Sequence, residues 1–299
     1  MANFLRYLAA SLCLGAVGYL ASEAMFWSFP PDGVTVPQIA LTCLAYALAG
    51  GAALSSVLWA GLGGWRAAFL GGAILGFAVE GAVVGTMYEG FPLQLVWTPL
   101  AWHALFSGLA VFGGALAAAR WALERQVALM VALGLFGGVW SLYWPLERPV
   151  LPPPSQTWAY LAGTGLLALA ALVVFDRLLP ALRPSRAVVW VMPVLLLLLF
   201  IVQSVADPRP QRLAWPVMML ATLWAMRRLG RMAAPVALPP VPLWRHLPAL
   251  IPPLATALVA TTLVPPGGVE VNWPVALLTG AVSLVLWFRL LWQAYRASA

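Results

Sequence analysis

Long apolar runs cover most of the chain, and short clusters of arginine, proline and acidic residues interrupt them. A bilayer core of about 30 Å needs roughly 20 apolar residues in a helix. Division of the sequence at the polar clusters predicts ten spans of about that length. These spans are residues 4–28, 36–59, 67–86, 97–119, 126–144, 157–179, 187–206, 213–229, 246–264 and 273–292. The pattern predicts an all-α, polytopic membrane bundle in which residues 1–299 form one embedded domain.

Three of these spans depart from a plain apolar helix. The apolar run 8–29 is longer than the core of a signal peptide, so we expect a retained transmembrane helix there. Span 213–229 is the weakest, because only fourteen residues separate Arg212 from Arg227. Span 246–264 has three prolines near its start, which predicts a bend or a break at that point.

A proline-rich loop divides the ten predicted spans into five and five. Residues 1–148 precede the loop and residues 155–299 follow it. Many secondary transporters consist of two such blocks with inverted topology. The two halves do not visibly match in sequence. The topology therefore permits an internal repeat, but the residues do not indicate one.

The composition excludes a soluble protein. Hydrophobic residues make up 63% of the chain and charged residues only 8%, whereas a soluble domain carries about 25% charged residues. All sixteen basic residues are arginine. This usage, together with abundant alanine, glycine, proline and tryptophan, is typical of a GC-rich bacterial genome. We therefore expect a protein of the bacterial inner membrane.

The distribution of charge predicts the orientation of the bundle. With a cytoplasmic N-terminus, thirteen of the sixteen arginines fall at the inner ends of the ten spans, as the positive-inside rule requires. Several acidic residues fall in the outer loops, namely Asp32, Glu89, Glu147, Asp207 and Glu270. Both termini are then cytoplasmic. The net charge of +7 is explained by orientation in the bilayer, and we expect no nucleic-acid partner.

Many of the sixteen tryptophans lie near the ends of the predicted spans. Tryptophan concentrates at membrane–water interfaces, so these positions predict an aromatic belt at each face. The belt residues are Trp27, Trp59, Trp97, Trp121, Trp144, Trp158, Trp215, Trp244 and Trp273.

Three ionisable residues lie well inside the predicted spans: Glu23, Glu80 and His103. At about 1.5 Å per residue, Glu80 and His103 reach a similar depth in the outer half of the membrane. Gly72, Gly76 and Glu80 recur every four residues. Glycines at this spacing mark a helix face against which another helix packs closely. We therefore expect Glu80 to point into the bundle and to meet His103.

A buried carboxyl group beside an imidazole could bind and release a proton near physiological pH. Other polar residues extend this site: Tyr88 and Glu89 lie in the polar segment between Glu80 and His103, and Ser107 shares the polar stripe of His103. The predicted proton- or substrate-binding residues are Glu80, His103, Glu23, Glu89, Tyr88 and Ser107. Because the inner halves of the spans are almost wholly apolar, we expect the site to open outward. The alternative is a hydrogen bond that only orders two helices.

The residue counts exclude several chemistries. The chain has two histidines and lacks an HExxH motif, so we assign no metal site, no cofactor and no catalytic residue. Cys13 and Cys43 lie within predicted spans without metal-ligand spacing, and we expect them to be packing residues. His246 lies beside Arg245 at a predicted inner boundary, where we expect it to be solvated.

Three functions remain open. The first is a small proton-linked permease for a lipophilic or zwitterionic solute. The second is an intramembrane enzyme that acts on a lipid or isoprenoid, with Glu80 and Glu23 as general acid and base and His103 as the orienting group or a metal ligand. The third is a non-catalytic subunit or assembly factor of a membrane complex. The expected partners are the bilayer, a small-molecule or lipid ligand, and a membrane protein or a second copy of the chain.

Overall fold

The protein is helical throughout the residues that the computed structural model describes, which are 2–148, 150–231, 238–239 and 241–297. Ten helices follow one another along this part of the chain, one for each predicted span. They are α1 (Ala2–Trp27), α2 (Val36–Ala60), α3 (Gly64–Val83), α4 (Leu93–Ala118), α5 (Leu123–Leu146), α6 (Pro154–Ala181), α7 (Arg186–Ala206), α8 (Ala214–Gly230), α9 (Ile251–Thr262) and α10 (Asn272–Arg296).

Eight of the described helices are long and apolar enough to cross a membrane. The other two are α8, with 17 residues, and α9, with 12 residues. A 3-10 turn at Leu243–Leu250 leads directly into α9, which confirms the break predicted from the prolines. The helical membrane bundle expected from the apolar pattern is supported, while the crossing of all ten helices stays a prediction.

The buried side chains form two hydrophobic clusters that both include α4. One cluster packs α1, α5, α6 and α9 together and includes Leu54 of α2 and Trp102 and Phe106 of α4. The other packs α2, α3, α8 and α10 together and includes Leu196 of α7 and Leu100 and Ala104 of α4. His103 therefore lies at the seam between the two clusters. Each cluster draws helices from both sides of the proline-rich loop, and the five-and-five division stays a prediction.

Local signals determine where α2 begins and ends. The hydroxyl of Thr35 accepts a bond from the backbone N–H of Gln38, and the Gln38 side chain accepts one from the Thr35 N–H. This reciprocal pair is a capping box, which satisfies backbone donors at a helix start. Gly61 follows α2 with a φ of 70°, a left-handed conformation that glycine adopts without steric cost. The resulting position of α2 sets the height of Tyr46 in the bundle.

Three helices contain wide turns, in which backbone N–H groups bond the carbonyl five residues earlier. These turns span Leu20–Ala24 in α1, Ala78–Val83 in α3 and Trp97–Gly113 in α4. Turns of this π type are rare and frequently occur at functional sites. All three ionisable residues that were predicted to lie well inside the spans fall within them.

Several tryptophans bond backbone carbonyls inside the bundle. Trp102 donates to the Ala21 carbonyl at 3.2 Å, and Trp215 donates to the Phe77 carbonyl at 2.8 Å. These carbonyls lie within or directly before a wide turn. Trp215 and Trp144 are only 5% and 3% exposed, so these two members of the predicted belt pack inside the protein. The exposed members of the predicted belt are Trp59, Trp121, Trp244 and Trp273.

Candidate functional site

Glu80 and His103 meet in the structure. Nε2 of His103 lies 2.7 Å from Oε1 of Glu80, and the two residues are 2% and 8% exposed, respectively. The second carboxyl oxygen of Glu80 accepts a bond from the hydroxyl of Thr86. The predicted contact between the two side chains is confirmed, whereas its role in proton or substrate binding stays a prediction.

Glycines bring α3 and α4 close enough for this contact. A Cβ atom at Gly72 would lie 2.9 Å from the Cα of Ala104, and one at Gly76 would lie 2.4 Å from the carbonyl oxygen of Pro99. Real Cβ atoms essentially never approach a backbone atom this closely. The glycine stripe that predicted the packing face of α3 is therefore confirmed, and the same stripe directs Glu80 toward α4.

A third helix reaches the pair through Ser22 of α1. The Ser22 hydroxyl donates to the Ser107 hydroxyl at 2.8 Å and lies 3.0 Å from Nδ1 of His103. A serine hydroxyl has only one proton to donate. Ser22 therefore accepts a hydrogen bond from the Nδ1–H group of His103. The imidazole is held by α1 on one edge and by α3 on the other.

These bonds determine how many protons the pair holds. Because Nδ1 of His103 carries the proton that it donates to Ser22, the charge depends on Nε2. The 2.7 Å contact between Nε2 and Glu80 requires one proton between the two groups, on either the ring or the carboxyl. The pair is neutral as a whole in both cases. A neutral pair avoids the cost of about 3 kcal/mol or more that an isolated charge has at the centre of a membrane.

Glu23 lies in the same region and bonds different partners. Its carboxyl oxygens accept from the Tyr46 hydroxyl at 2.8 Å and from the Trp27 indole N–H at 3.1 Å. The rings of Tyr46 and His103 are 6.0 Å apart, centre to centre. Tyr46 thus connects Glu23 with the Glu80–His103 pair, and the three predicted ionisable groups converge as expected from their depth.

Two other predicted site residues lie outside this contact network. Glu89 is exposed on the loop after α3, and the structure does not bring it to the pair. Tyr88 is buried, donates to the Gly81 carbonyl at 2.8 Å and lies under the guanidinium of Arg212, 4.9 Å from its ring centre. Burial raises the pKa of Tyr88 to about 12, against the opposing effect of Arg212. Tyr88 is therefore a neutral residue that closes the end of α3.

The pair is closed on the side where the sequence predicted an opening. The turn Thr86–Tyr88 folds back over the end of α3, because Thr86 bonds Glu80 and Tyr88 bonds Gly81. The ring of Phe26 packs edge-on against Trp102, 4.7 Å between centres, beside His103. An outward opening would require the Thr86–Tyr88 turn to move away from Glu80.

Sequence reasoning missed a second buried charge cluster at the other end of the bundle. Asp176 and His246 are 4% and 3% exposed. Arg120 donates to Oδ1 of Asp176 at 2.6 Å, and Nε2 of His246 lies 3.3 Å from Oδ2. The prediction that His246 is solvated is wrong. Arg245 takes the position nearer the surface, where its guanidinium bonds backbone carbonyls of the α4–α5 connection.

Sequence reasoning also missed Ser22 and Tyr46. A small hydroxyl residue barely lowers the hydropathy of an apolar helix, and a tyrosine is common near a membrane interface. The available signal for Ser22 was its place next to Glu23 in the same turn of α1. The position of Tyr46 offered no comparable signal, because its partner Glu23 belongs to another helix.

Comparison with known proteins identifies no relative of this chain. The chain matches no protein-family model, and no curated protein or solved structure is significantly similar to it. The contacts of its own residues thus carry the evidence for function.

Proposed function

We propose that the protein is a small proton-linked permease for a lipophilic or zwitterionic solute, and that Glu80 and His103 hold the coupling proton. The observation that carries the proposal is the 2.7 Å contact between a buried carboxyl and a buried imidazole. Ionisable residues inside membranes are costly and usually functional. Gain or loss of this proton changes the charge of the pair by one unit, as coupling requires.

The position of the pair suits a carrier. His103 lies on α4 at the seam of the two hydrophobic clusters, while Ser22 and Glu80 approach it from helices of different clusters. Carriers change access by moving one group of helices against another around a central site. Movement of one cluster against the other would separate His103 from Ser22 or from Glu80. The charge of the pair would thereby favour one arrangement over the other.

The proposal includes an orientation and a location. Thirteen arginines at the predicted inner ends support cytoplasmic termini in a bacterial inner membrane. In this orientation Glu80 and His103 lie in the outer half of the membrane, and Asp176 lies near the inner face. Helix α7 would face lipid, since only 6% of its most apolar stretch is buried within the protein.

Reconstituted vesicles test this function. Vesicles that contain the protein and a pH-sensitive dye report proton movement when a solute is added under a pH gradient. Zwitterionic amino acids and short-chain phosphocholines are suitable probes. We expect at least one probe to move protons with the wild-type protein, and Glu80→Gln to abolish this movement. Glu89→Gln is the matched control, because it alters an exposed carboxylate on the loop after α3 and should leave transport unchanged.

Two outcomes would contradict the proposal. Glu80→Gln could retain the pH dependence of wild-type uptake, which would remove the coupling role of the pair. A folded wild-type protein with which none of the probes binds or moves protons would also contradict it.

A non-catalytic subunit is the second candidate function, and α7 favours it. The most apolar stretch of this helix has a mean hydropathy of 2.6 and is almost entirely unburied. Another membrane protein could cover this surface as well as lipid does, and the buried pair would then only join helices. A partner that co-purifies stoichiometrically in mild detergent would support this function. Glu80→Gln would then lower thermal stability without affecting a separable activity.

The enzyme alternative requires a lipid to reach Glu80. This residue is only 8% exposed, and the turn Thr86–Tyr88 lies over it. One accumulating precursor in lipid extracts of a deletion strain would support an enzyme, and unchanged lipids would count against it.

A further inference from the structure

The Asp176 end of the bundle contains a second carboxyl–imidazole pair. Asp176 belongs to α6, and His246 belongs to the 3-10 turn before α9. Arg120 follows α4 and donates to Asp176 at 2.6 Å. His103 and Arg120 lie toward opposite ends of the α4 segment, about 20–25 Å apart along the helix axis. The two pairs therefore lie near opposite faces of the membrane.

The two pairs differ in their hydrogen bonding. Glu80 and His103 are 2.7 Å apart and bonded. Oδ2 of Asp176 and Nε2 of His246 are 3.3 Å apart, and neither atom has a hydrogen-bond partner in the described part of the chain. A protonated imidazole at this distance from a buried carboxylate would make a charge-assisted interaction with it. The Asp176–His246 pair is thus arranged to stabilise a protonated imidazole.

The charged groups around His246 influence how tightly it would hold that proton. Burial of the imidazole disfavours its protonated form, Asp176 favours that form, and Arg120 and Arg177 disfavour it. Arg245 precedes His246 and bonds backbone carbonyls with its guanidinium, and its own carbonyl accepts from Gln126 at 2.6 Å. One carboxylate among three arginines makes protonation of His246 weak and reversible. Such a site can release a proton as well as bind it.

An apolar layer separates the two pairs. It surrounds a void of about 10 Å³ whose lining is entirely apolar and includes Leu20, Leu133 and Leu172. Leu20 lies two residues before Ser22 on α1, and Leu172 lies one helical turn before Asp176 on α6. A void of this size holds at most one water, and an apolar void stays dry. The residues that line the void therefore supply no hydrogen-bonding side chain between Ser22 and Asp176.

We infer that Asp176 and His246, together with Arg120, form a second proton-binding site that exchanges with the membrane face opposite to that of Glu80 and His103. The choice of the proton as the shared ligand rests on the proposed function. The separation of the two sites rests on the contacts alone. The apolar lining of the void offers no proton path between them, so each site exchanges with its own face once that face opens, which at Glu80 requires the Thr86–Tyr88 turn to move.

The two histidines of the chain make this inference measurable, because one lies in each pair. Full-length protein is labelled with ¹⁵N-histidine and reconstituted with uniform orientation in sealed vesicles. Solid-state NMR then detects imidazole signals from only two residues, which His103→Gln and His246→Gln assign. The pH on one face is lowered from about 8 to about 5, the range in which histidine titrates. A strong buffer holds the pH on the other face.

We expect acidification of the Asp176 face to change only the His246 signals, and acidification of the opposite face to change only the His103 signals. Asp176→Asn should shift the His246 response to lower pH, because the attraction of the carboxylate is lost, and should leave His103 unaffected. Two histidines that respond to the same face would overturn the inference. A His246 signal that stays constant across the range in folded protein would also overturn it.

The NMR measurement needs no solute, so it is independent of the transport assay. A two-sided response in a protein without coupled transport would remove the proposed function and leave the second site in place. Coupled transport in a protein whose two histidines respond to the same face would support the proposed function and remove the second site.

Discussion

The carbonyl oxygen of Pro99 occupies the space where a side chain at Gly76 would begin, since a Cβ atom there would lie only 2.4 Å from it. Gly76 lies one helical turn before Glu80, and Pro99 lies one turn before His103. The closest approach of α3 to α4 therefore lies directly beside the acid–imidazole contact. The absence of a side chain at Gly76 allows Glu80 to reach His103.

Gly76→Ala should separate α3 from α4. Overpacking of this kind costs about 1–3 kcal/mol of stability. We expect a cost at the upper end of this range, because the added Cβ meets a backbone atom, which cannot rotate away as a side chain can. Gly163→Ala in α6 is the control, because a Cβ there meets nothing within 4 Å. It should be neutral or stabilising by about 0.5–1 kcal/mol. Thermal unfolding in detergent measures both, and equal effects would contradict the close approach.

Ser22→Ala should leave the Nδ1–H group of His103 without an acceptor. An unsatisfied buried donor costs about 1–3 kcal/mol, and the ¹⁵N signals of His103 should change with the loss of the bond. Ser11→Ala is the matched control on α1, because its hydroxyl donates to the Tyr7 carbonyl of its own helix at 2.9 Å and has no bond to His103. Unchanged His103 signals in Ser22→Ala would show that the ring does not donate to Ser22.

Arg120→Ala should be far more damaging than Arg148→Ala. Both arginines bond a carboxylate at 2.6 Å, but the Asp176 side chain is 1% exposed and the Asp32 side chain is 90% exposed. Loss of one partner from a buried ion pair costs about 3–5 kcal/mol, and an exposed pair contributes about 0–1 kcal/mol. Unfolding temperatures compare the two variants. Equal losses would contradict the burial of Asp176.

Leu133→Asn should let protons leak through the apolar layer. A polar side chain in the wall of the small void would bind water there and join the two halves of the bundle. Leu133→Met keeps the lining of the void apolar at similar volume, so its passive proton flux should stay at the wild-type level. Dye-loaded vesicles measure the passive proton flux of each variant. Equal flux in the two variants would show that this layer is not the barrier.

Side-specific labelling tests the orientation. Glu89 is exposed on the loop that follows α3, and Glu124 is exposed in the first turn of α5. In a chain whose native Cys13 and Cys43 are replaced by serine, Glu89→Cys should react with a membrane-impermeant thiol reagent in intact cells. Glu124→Cys should react only after permeabilisation. Labelling of both from the same side would contradict the topology predicted from the arginines.

The contact between Glu80 and His103 could be predicted from residues close in the sequence. The glycine stripe of α3 identified its packing face, and the next helix in the chain was the natural partner for that face. Ser22 could not be assigned in this way, because its contact with His103 joins residues 81 positions apart. The Asp176–His246 pair was missed for the same reason, since α6 and the turn before α9 meet only through packing of the whole bundle.

The amino-acid sequence by itself determined the number and approximate limits of the helices and the helix face that carries Glu80. Each of these depends on local hydropathy, capping residues or helical periodicity, which neighbouring residues control. Tertiary structure alone decided that Ser22 and Tyr46 join the site of Glu80 and His103, that His246 is buried beside Asp176, and that apolar side chains enclose the small void between α1, α5 and α6. Those relationships depend on which helices pack together, and packing is set by the combined shape of side chains from distant parts of the chain.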